Sequence, residues 1–220
     1  MFRHGHTVGL YVTPSPVFPA KQCYNSSGIF LALNSYKVCN FKNMILEKYN
    51  PAWVADFTAI KNEIEAALNE PAFTIEHVGS TAVPNLDSKP VIDIDIIYYA
   101  EQDFERIKTA LEKAGYYHNG NQGIEGRDVF KRNGKCTNKI LDSIKHHLYV
   151  CPTGSKALER HMLSRNFLRK HAWARIQYQD MKYRLAAQAS QDKKLYASLK
   201  ELHVNDFINS MIEQEKQTTV

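Results

Sequence analysis

The chain alternates between stretches with an apolar residue at every third or fourth position and short runs dense in β-branched residues. The first helical pattern opens at Asn50-Pro51, a capping side chain followed by a residue suited to a first turn. Trp53, Phe57, Ile60, Ile64 and Leu68 then recur at spacings of four, three, four and four, which puts them on one helix face, a packing stripe. Phe73, Thr74, Ile75 and Val78 favour a strand. Gly79-Ser80 breaks it, and Pro84, Asn85 and Pro90 keep residues 82–90 out of regular structure. Residues 91–98, VIDIDIIY, predict a second strand. A helix follows over residues 103–114, with Phe104, Ile107, Leu111 and Ala114 on one face and Gly115 as its stop. Tyr116 and Tyr117 begin a further strand, which leads into a loop containing Gly120, Gly123 and Gly126. Residues 145–151, KHHLYVC, predict the next strand, with His147 and Tyr149 on one face.

From Thr153 onward the periodicity is helical. Leu158, Met162, Arg165 and Leu168 line a first helix. Ile176, Tyr178, Met181, Lys182 and Leu185 belong to a second over residues 172–189, and Tyr196, Lys200, Phe207 and Ile208 to a third over residues 192–213. Strands interleaved with helices, then helices alone, predict an α/β fold: a small mixed sheet with flanking helices and a helical C-terminal part. The expected division is a leader over residues 1–43, an α/β core over 44–152 and a helical part of the same domain over 153–214.

Composition changes this picture at one place. No Asp or Glu precedes Glu47, and residues 1–43 lack both an Arg-rich amphipathic pattern and a clean apolar signal segment. We expect them to lie outside the domain, as translated sequence upstream of a natural start at Met44. Elsewhere the totals are ordinary. The 220 residues suit one domain, 44% are hydrophobic, and the formal net charge is +5. That balance permits a phosphate-rich ligand but does not indicate nucleic acid. Four cysteines without C-x-x-C spacing give neither a zinc set nor a disulfide framework, so a reducing cytoplasm is the default. No run reaches the ~18 apolar residues of a membrane span.

The candidate chemistry sits on residues 73–98. Side chains of a strand alternate, so Asp93 and Asp95 point to one face, about 6–7 Å apart, with Ile92, Ile94 and Ile96 on the other. Neighbouring carboxylates repel, and a divalent ion such as Mg²⁺ would relieve the conflict while also taking substrate phosphates. Gly79 lets backbone approach a ligand closely, and Ser80 adds a hydroxyl and an amide. Gly-Ser followed by Asp-x-Asp on the next strand is the layout of the nucleotidyltransferase superfamily. The alternative from the residues alone is a half-exposed strand whose polar face carries two aspartates.

The longer stretch HVGSTAVPNLDSKPVIDIDI resembles the GrpB family, whose pattern reads roughly H-[IV]-G-S-T-[SA]-V-P-G-L-x-x-K-P-[IV]-I-D-I. His77, Gly79, Ser80, Thr81, Val83, Pro84, Leu86, Lys89, Pro90, Ile92, Asp93 and Ile94 match it. Asn85 stands where that pattern has glycine, and asparagine tolerates the left-handed backbone. YNPAWVADF, GIEGRDVFKR and RNFLRKH resemble further family segments, and the likeness covers about residues 46–213. It implies a nucleotidyltransferase-like fold, and some relatives are fused to dephospho-CoA kinase. In the family's F-R-D-x-L-R segment the aspartate is Asn166 here, so an ion pair with a site arginine would become a hydrogen bond.

The reading that follows assigns Asp93 and Asp95 to Mg²⁺ and to catalysis. It gives Gly79, Ser80 and Thr81 to a nucleoside triphosphate, and Lys89 and Arg127 to its charge. Arg165, Arg169 and Lys182 would line the cleft. In many nucleotidyltransferases a later strand supplies a third carboxylate, and here that place carries His147, which would serve as base, metal ligand or phosphate contact. The expectation is a Mg²⁺-dependent nucleotidyl transfer to an unidentified acceptor. Its competitor is a non-catalytic module binding a nucleotide or other phosphorylated small molecule, an accessory to coenzyme A synthesis. The missing third carboxylate favours the competitor.

Overall fold

The computed structural model describes residues 45–69, 73–135 and 138–218. The leader over residues 1–43 lies outside them. Five strands and six helices follow one another as α1 (Ala52–Leu68), β1 (Phe73–Val78), β2 (Ile92–Tyr98), α2 (Glu101–Lys113), β3 (Tyr116–His118), β4 (Asp128–Arg132), α3 (Lys139–Ser143), β5 (His146–Pro152), α4 (Lys156–Lys170), α5 (Ala172–Gln188) and α6 (Lys193–Thr218). The α/β architecture expected from the sequence is the one observed. Asn50 Oδ1 accepts from the amide of Ala52 at the start of α1. The five-residue α3, which periodicity did not predict, is held by Asn138, whose side chain accepts from the amides of Ile140 and Leu141. Among the described residues no helix is long and apolar enough to cross a membrane.

The sheet has the order β1-β2-β5-β4-β3. Only β2 and β5 run parallel; the remaining pairs are antiparallel. The parallel pair needs a crossover, which α2, β3, β4 and α3 provide. Its consequence is that Asp93 stands beside His147 and Asp95 beside Tyr149, while on the other flank Val78 faces Asp93 and Glu76 faces Asp95.

The two faces of the sheet separate by chemistry. Ile75, Ile92, Ile94, Ile96, Phe130, Leu148 and Val150 pack against Trp53, Ile60, Ile64 and Leu68 of α1, with Ile107 and Leu111 of α2. The α1 stripe is therefore core, as its spacing predicts. The opposite face carries Asp93, Asp95, His147 and Tyr149, and the C-terminal helices cover it. Those helices have their own core: Phe167, Leu168, Tyr178, Leu185, Tyr196, Val204 and Met211, joined by Leu46, Val83 and Leu86.

Asp87 fastens this second core to the strand layer. Its carboxylate accepts from Lys48 Nζ (2.9 Å), the Tyr49 amide (3.0 Å) and the Tyr183 hydroxyl (2.6 Å). Its backbone amide donates to Gln179 Oε1, and its carbonyl accepts from Lys182 Nζ. These bonds hold the carboxyl below its ordinary range, against the opposing effect of burial. One residue thus ties the 45–49 segment and α5 to the loop between β1 and β2. That loop places Lys89 in the cleft.

Candidate functional site

Gly79 ends β1 with φ +71°, and residues Ser80–Ala82 form a single 3₁₀ turn. A Cβ at Gly79 would strike Asp93 Oδ2 and crowd the rest of that side chain. Glycine is required here twice, for the left-handed backbone and for the closeness of the carboxylate. The Gly-Ser turn and the first aspartate are therefore in direct contact. Asn85 adopts φ +62°, the left-handed conformation expected of it in place of glycine.

The turn is braced from beneath. His77 is buried, stacks on Phe57 with centroids 4.7 Å apart, and its Nε2 lies 3.1 Å from the Thr81 hydroxyl. Burial, and then the charge of Arg169, push the His77 imidazole down to about 4. Thr81 has 1% exposure, and its hydroxyl donates to the Val91 carbonyl. The expectation that Thr81 contacts a triphosphate is corrected on this point: its hydroxyl is engaged inside the protein. Gly79 and Ser80 remain on the cavity wall.

Each aspartate has an imidazole partner. His147 Nδ1 lies 2.9 Å from Asp93 Oδ1. His161, on α4, places Nδ1 at 3.1 and 2.9 Å from the two oxygens of Asp95. An ionised carboxylate only accepts, so each ring donates through Nδ1 and keeps Nε2 for other use. Asp95 has no exposure, whereas the His147 side chain is 59% exposed. The sequence predicts two repelling carboxylates relieved by a cation; the structure relieves them with histidine instead. As arranged, Mg²⁺ on Asp93 and Asp95 would require both histidines to release them. Both oxygens of Asp95 face His161, and among the described residues no three His, Cys, Asp or Glu side chains group to hold a metal. A hard cation prefers an open set of oxygens.

A cavity of about 440 Å³ separates the acid face from α4, α5 and α6. Ser80, Asp93, His147, His161, Lys89 and Lys200 all line it. Lys89 Nζ rests over the Tyr196 ring, 4.8 Å from its centroid. Among the described residues it has no carboxylate partner, and burial, followed by the charges of Lys200 and Lys193, lowers its affinity for a proton. Lys200 is shifted the other way, raised first by the Tyr178 phenol, with smaller help from Tyr196 and Asp93.

The other predicted positions fall into three places. Arg165 and Lys182 line the cavity but are committed within the fold. Arg165 is 7% exposed and donates to Glu76 Oε2 (2.7 Å), the His77 carbonyl (2.8 Å) and Asn166 Oδ1 (3.1 Å). The contact with Asn166 is the hydrogen bond expected in place of an ion pair. Lys182 is buried on the Asp87 carbonyl and sits over the Tyr178 ring. Burial, then Lys200, pushes its proton affinity well down. Arg169 lies outside the cavity wall and donates to the Ala82 carbonyl at 2.9 Å, so it holds the 3₁₀ turn. Arg127 is on the far side of Tyr149, with its guanidinium carbon 4.6 Å from that ring's centroid, and borders a separate, smaller cavity.

Sequence reasoning missed His161 as a site residue and took Tyr196 and Lys200 for packing. His161, Arg165 and Leu168 recur at four and three along α4, which would have put His161 on the named face. On α6, Tyr196 and Val204 are buried, and Lys200 falls midway between them. A lysine centred in an apolar stripe was the available signal.

The GrpB protein family model matches residues 43–213. The chain belongs to the GrpB family. Glutamate-rich protein GrpB of Alkalihalophilus pseudofirmus is 28% identical over 173 residues, covering 78% of this chain and 98% of that protein. UPF0157 protein YqkA of Bacillus subtilis is 33% identical over 140 residues, 64% of this chain and 39% of that one. A UPF0157 protein of Pseudomonas aeruginosa is 35% identical over 147 residues, 67% of this chain and 59% of its own length. The chain thus spans well under two thirds of the last two relatives. The crystal structure of conserved protein GrpB from Enterococcus faecalis superposes with a TM-score of 0.64 at 26% identity, covering 77% of this chain and 98% of that one. A fainter likeness, TM-score 0.48 at 11% identity over 66% of this chain and 45% of the other, links it to a Cid1 poly(U) polymerase mutant bound to MgATP. A likeness of that size carries no functional weight.

Proposed function

We propose that this GrpB chain binds a phosphorylated small molecule, a nucleoside triphosphate in the first instance, in the 440 Å³ cavity over the acid face. The observation that carries this reading is the pair Lys89 and Lys200. Both line the cavity, and burial, then the charge of Lys200, makes Lys89 a weaker proton holder. Lys89 has an aromatic ring in place of a counter-anion. A polyphosphate would neutralise both, with Ser80 on the same cavity as a further donor. Tyr196 and Tyr178, both on the cavity wall, offer ring surface to the remainder of the ligand.

A second reading is Mg²⁺-dependent nucleotidyl transfer to an acceptor. It is favoured by the contact between the Asp93 carboxylate and the Gly79 backbone, which brings a metal-binding oxygen and a phosphate-binding turn to one point. It requires His147 and His161 to release Asp93 and Asp95. The pairing with histidine is why binding without transfer is the preferred reading, an accessory role of the kind implied for coenzyme A synthesis.

Thermal unfolding with each nucleoside triphosphate, with and without Mg²⁺, tests both. A ligand at a hundredfold excess over its Kd stabilises by about 2.7 kcal/mol. The preferred reading expects stabilisation without the metal that is lost in Lys89→Gln/Lys200→Gln. Stabilisation only with Mg²⁺, and lost in Asp93→Asn, supports transfer instead. No stabilisation by any nucleotide, in either condition, refutes both.

A further inference from the structure

The geometry points to a second ligand site beside the main cavity, built for a small oxyanion and centred on Arg127. The site is a pocket of about 220 Å³ bounded by Arg127, Gln122, Lys131, His147 and Tyr149. Arg127 Nε is buried and, among the described residues, has no hydrogen-bond partner. A guanidinium has only donors, and a buried donor left unmade is costly enough that such groups are rare in native proteins. Here the arrangement keeps the donor in place. The guanidinium carbon rests over the Tyr149 ring, 4.6 Å from its centroid, a contact that leaves the donors of the group uncompensated because an aromatic ring offers no conventional acceptor.

The lining selects the ligand's charge. Lys131 and Arg127 are cationic, Gln122, His146 and His147 supply further polar groups beside the apolar Val129 and Phe130, and among the described residues no carboxylate borders the pocket. Its volume suits a phosphate group or a carboxylate rather than a nucleotide. Arginine binds both through paired N–H donors. The approach is open, since His147 is more than half exposed and Gln122 and Lys131 are exposed. Gln122 sits at φ +53° between the left-handed Gly120 and Gly123, in a loop whose Gly126 packs so closely on Ser155 that a Cβ there would crowd it. That close approach ties the loop to the residue just before α4 and fixes the backbone from which Arg127 projects.

His147 and Tyr149 are common to both cavities. A ligand held by Arg127 would therefore meet one in the main cavity across the His147 ring. In that sense the second site is the place for a co-ligand carrying phosphate or carboxylate, a role that rests on the proposed nucleotide binding. The oxyanion site itself does not, and its test is done without nucleotide.

The experiment titrates ¹⁵N-labelled full-length protein with inorganic phosphate and, separately, with acetate, following arginine Nε–H resonances. Arg127 is assigned by its disappearance in Arg127→Lys, whose folding is checked by its melting curve. We expect the Arg127 resonance to move and saturate with at least one anion. Affinity for the same anion, read by isothermal titration calorimetry in both proteins, should fall roughly tenfold or more in Arg127→Lys, which retains the charge and loses the fork. It should be unchanged in Lys89→Gln. Saturation by phosphate alone assigns a phosphorylated co-ligand, and by acetate alone a carboxylate. A resonance unmoved by both anions overturns the site, as does anion binding that Lys89→Gln abolishes and Arg127→Lys does not. If Arg127→Lys fails to fold, the titration of the unaltered protein still decides between a moving and a static set of Nε resonances. The sharpest test in that case is Lys131→Gln, which should weaken the anion effect.

Discussion

Removing His161 should leave Asp95 as an uncompensated charge in the interior. Asp95 has no exposure, and the only hydrogen bonds its carboxylate makes among the described residues come from His161 Nδ1, at 3.1 and 2.9 Å. Leaving a buried acceptor without its hydrogen-bond donor costs about 1–3 kcal/mol, because the group is then neither solvated nor paired. His161→Leu keeps an apolar side chain of similar bulk against Tyr149, whose ring is 5.6 Å from the imidazole. For a chain of this size each kcal/mol moves Tm by about 2–4 °C, so the expected loss is about 2–12 °C. Asp95→Asn in the same background removes the charge and should restore most of it. Urea unfolding of the four proteins of this double-mutant cycle gives the coupling directly. The pair holds Asp95 only if His161→Leu is clearly the worst of the four. If it loses less than about 1 kcal/mol, water or another group carries the carboxylate, and the aspartates stand closer to the unrelieved pair that the sequence alone predicts.

Two other perturbations follow from the same geometry. His77 is depressed to about 4 from its ordinary 6.5, so between those values the unfolded chain binds a proton that the folded one refuses. Stability should be fully present above pH 6.5, decline as pH falls towards 4 by about 3 kcal/mol in all, and show a flatter profile in His77→Phe; equal slopes in the two proteins over that window would dismiss the effect. Asn166→Asp should turn the 3.1 Å bond to Arg165 Nε into a charge-assisted one, raising stability by about 1 kcal/mol in urea unfolding, and no change would make the contact incidental.

What was legible in the sequence was what depends on neighbours in the chain. The alternation in VIDIDIIY put Asp93 and Asp95 on one face because strand geometry has a period of two, and the register confirms it by setting Glu76 and Val78 beside them. The stripe from Trp53 to Leu68 became core for the same kind of reason. The short α3 escaped because five residues hold too little periodicity, and a side-chain cap at Asn138 decided its formation. The partners of the site residues escaped for a different reason. His161 reaches Asp95 across 66 positions of sequence, and nothing local marks a histidine on an otherwise mixed helix as the one that meets a buried carboxylate. Arg127 could be singled out by the chemistry of arginine, but its place could not, because that place is set by the Tyr149 ring on the neighbouring strand.

These long-range partners change the chemistry, not merely its description. Two adjacent aspartates in the sequence argue for a metal, since a cation is the simplest remedy for their repulsion. The fold supplies another remedy by pairing β2 in parallel with β5, which sets His147 beside Asp93, and by laying α4 over the same face. A carboxylate that orients an imidazole through Nδ1 leaves Nε2 to act on a ligand, the arrangement that fixes tautomer and direction in proton-transfer and metal-binding histidines alike. The groups in this cavity best placed to meet a ligand are then the two rings with Lys89 and Lys200, and the aspartates are supports of the rings. Replacing the aspartates would act on a bound ligand mainly through His147 and His161, so a loss of ligand binding in Asp93→Asn cannot by itself be read as the loss of a metal unless the same loss fails to appear in His147→Gln.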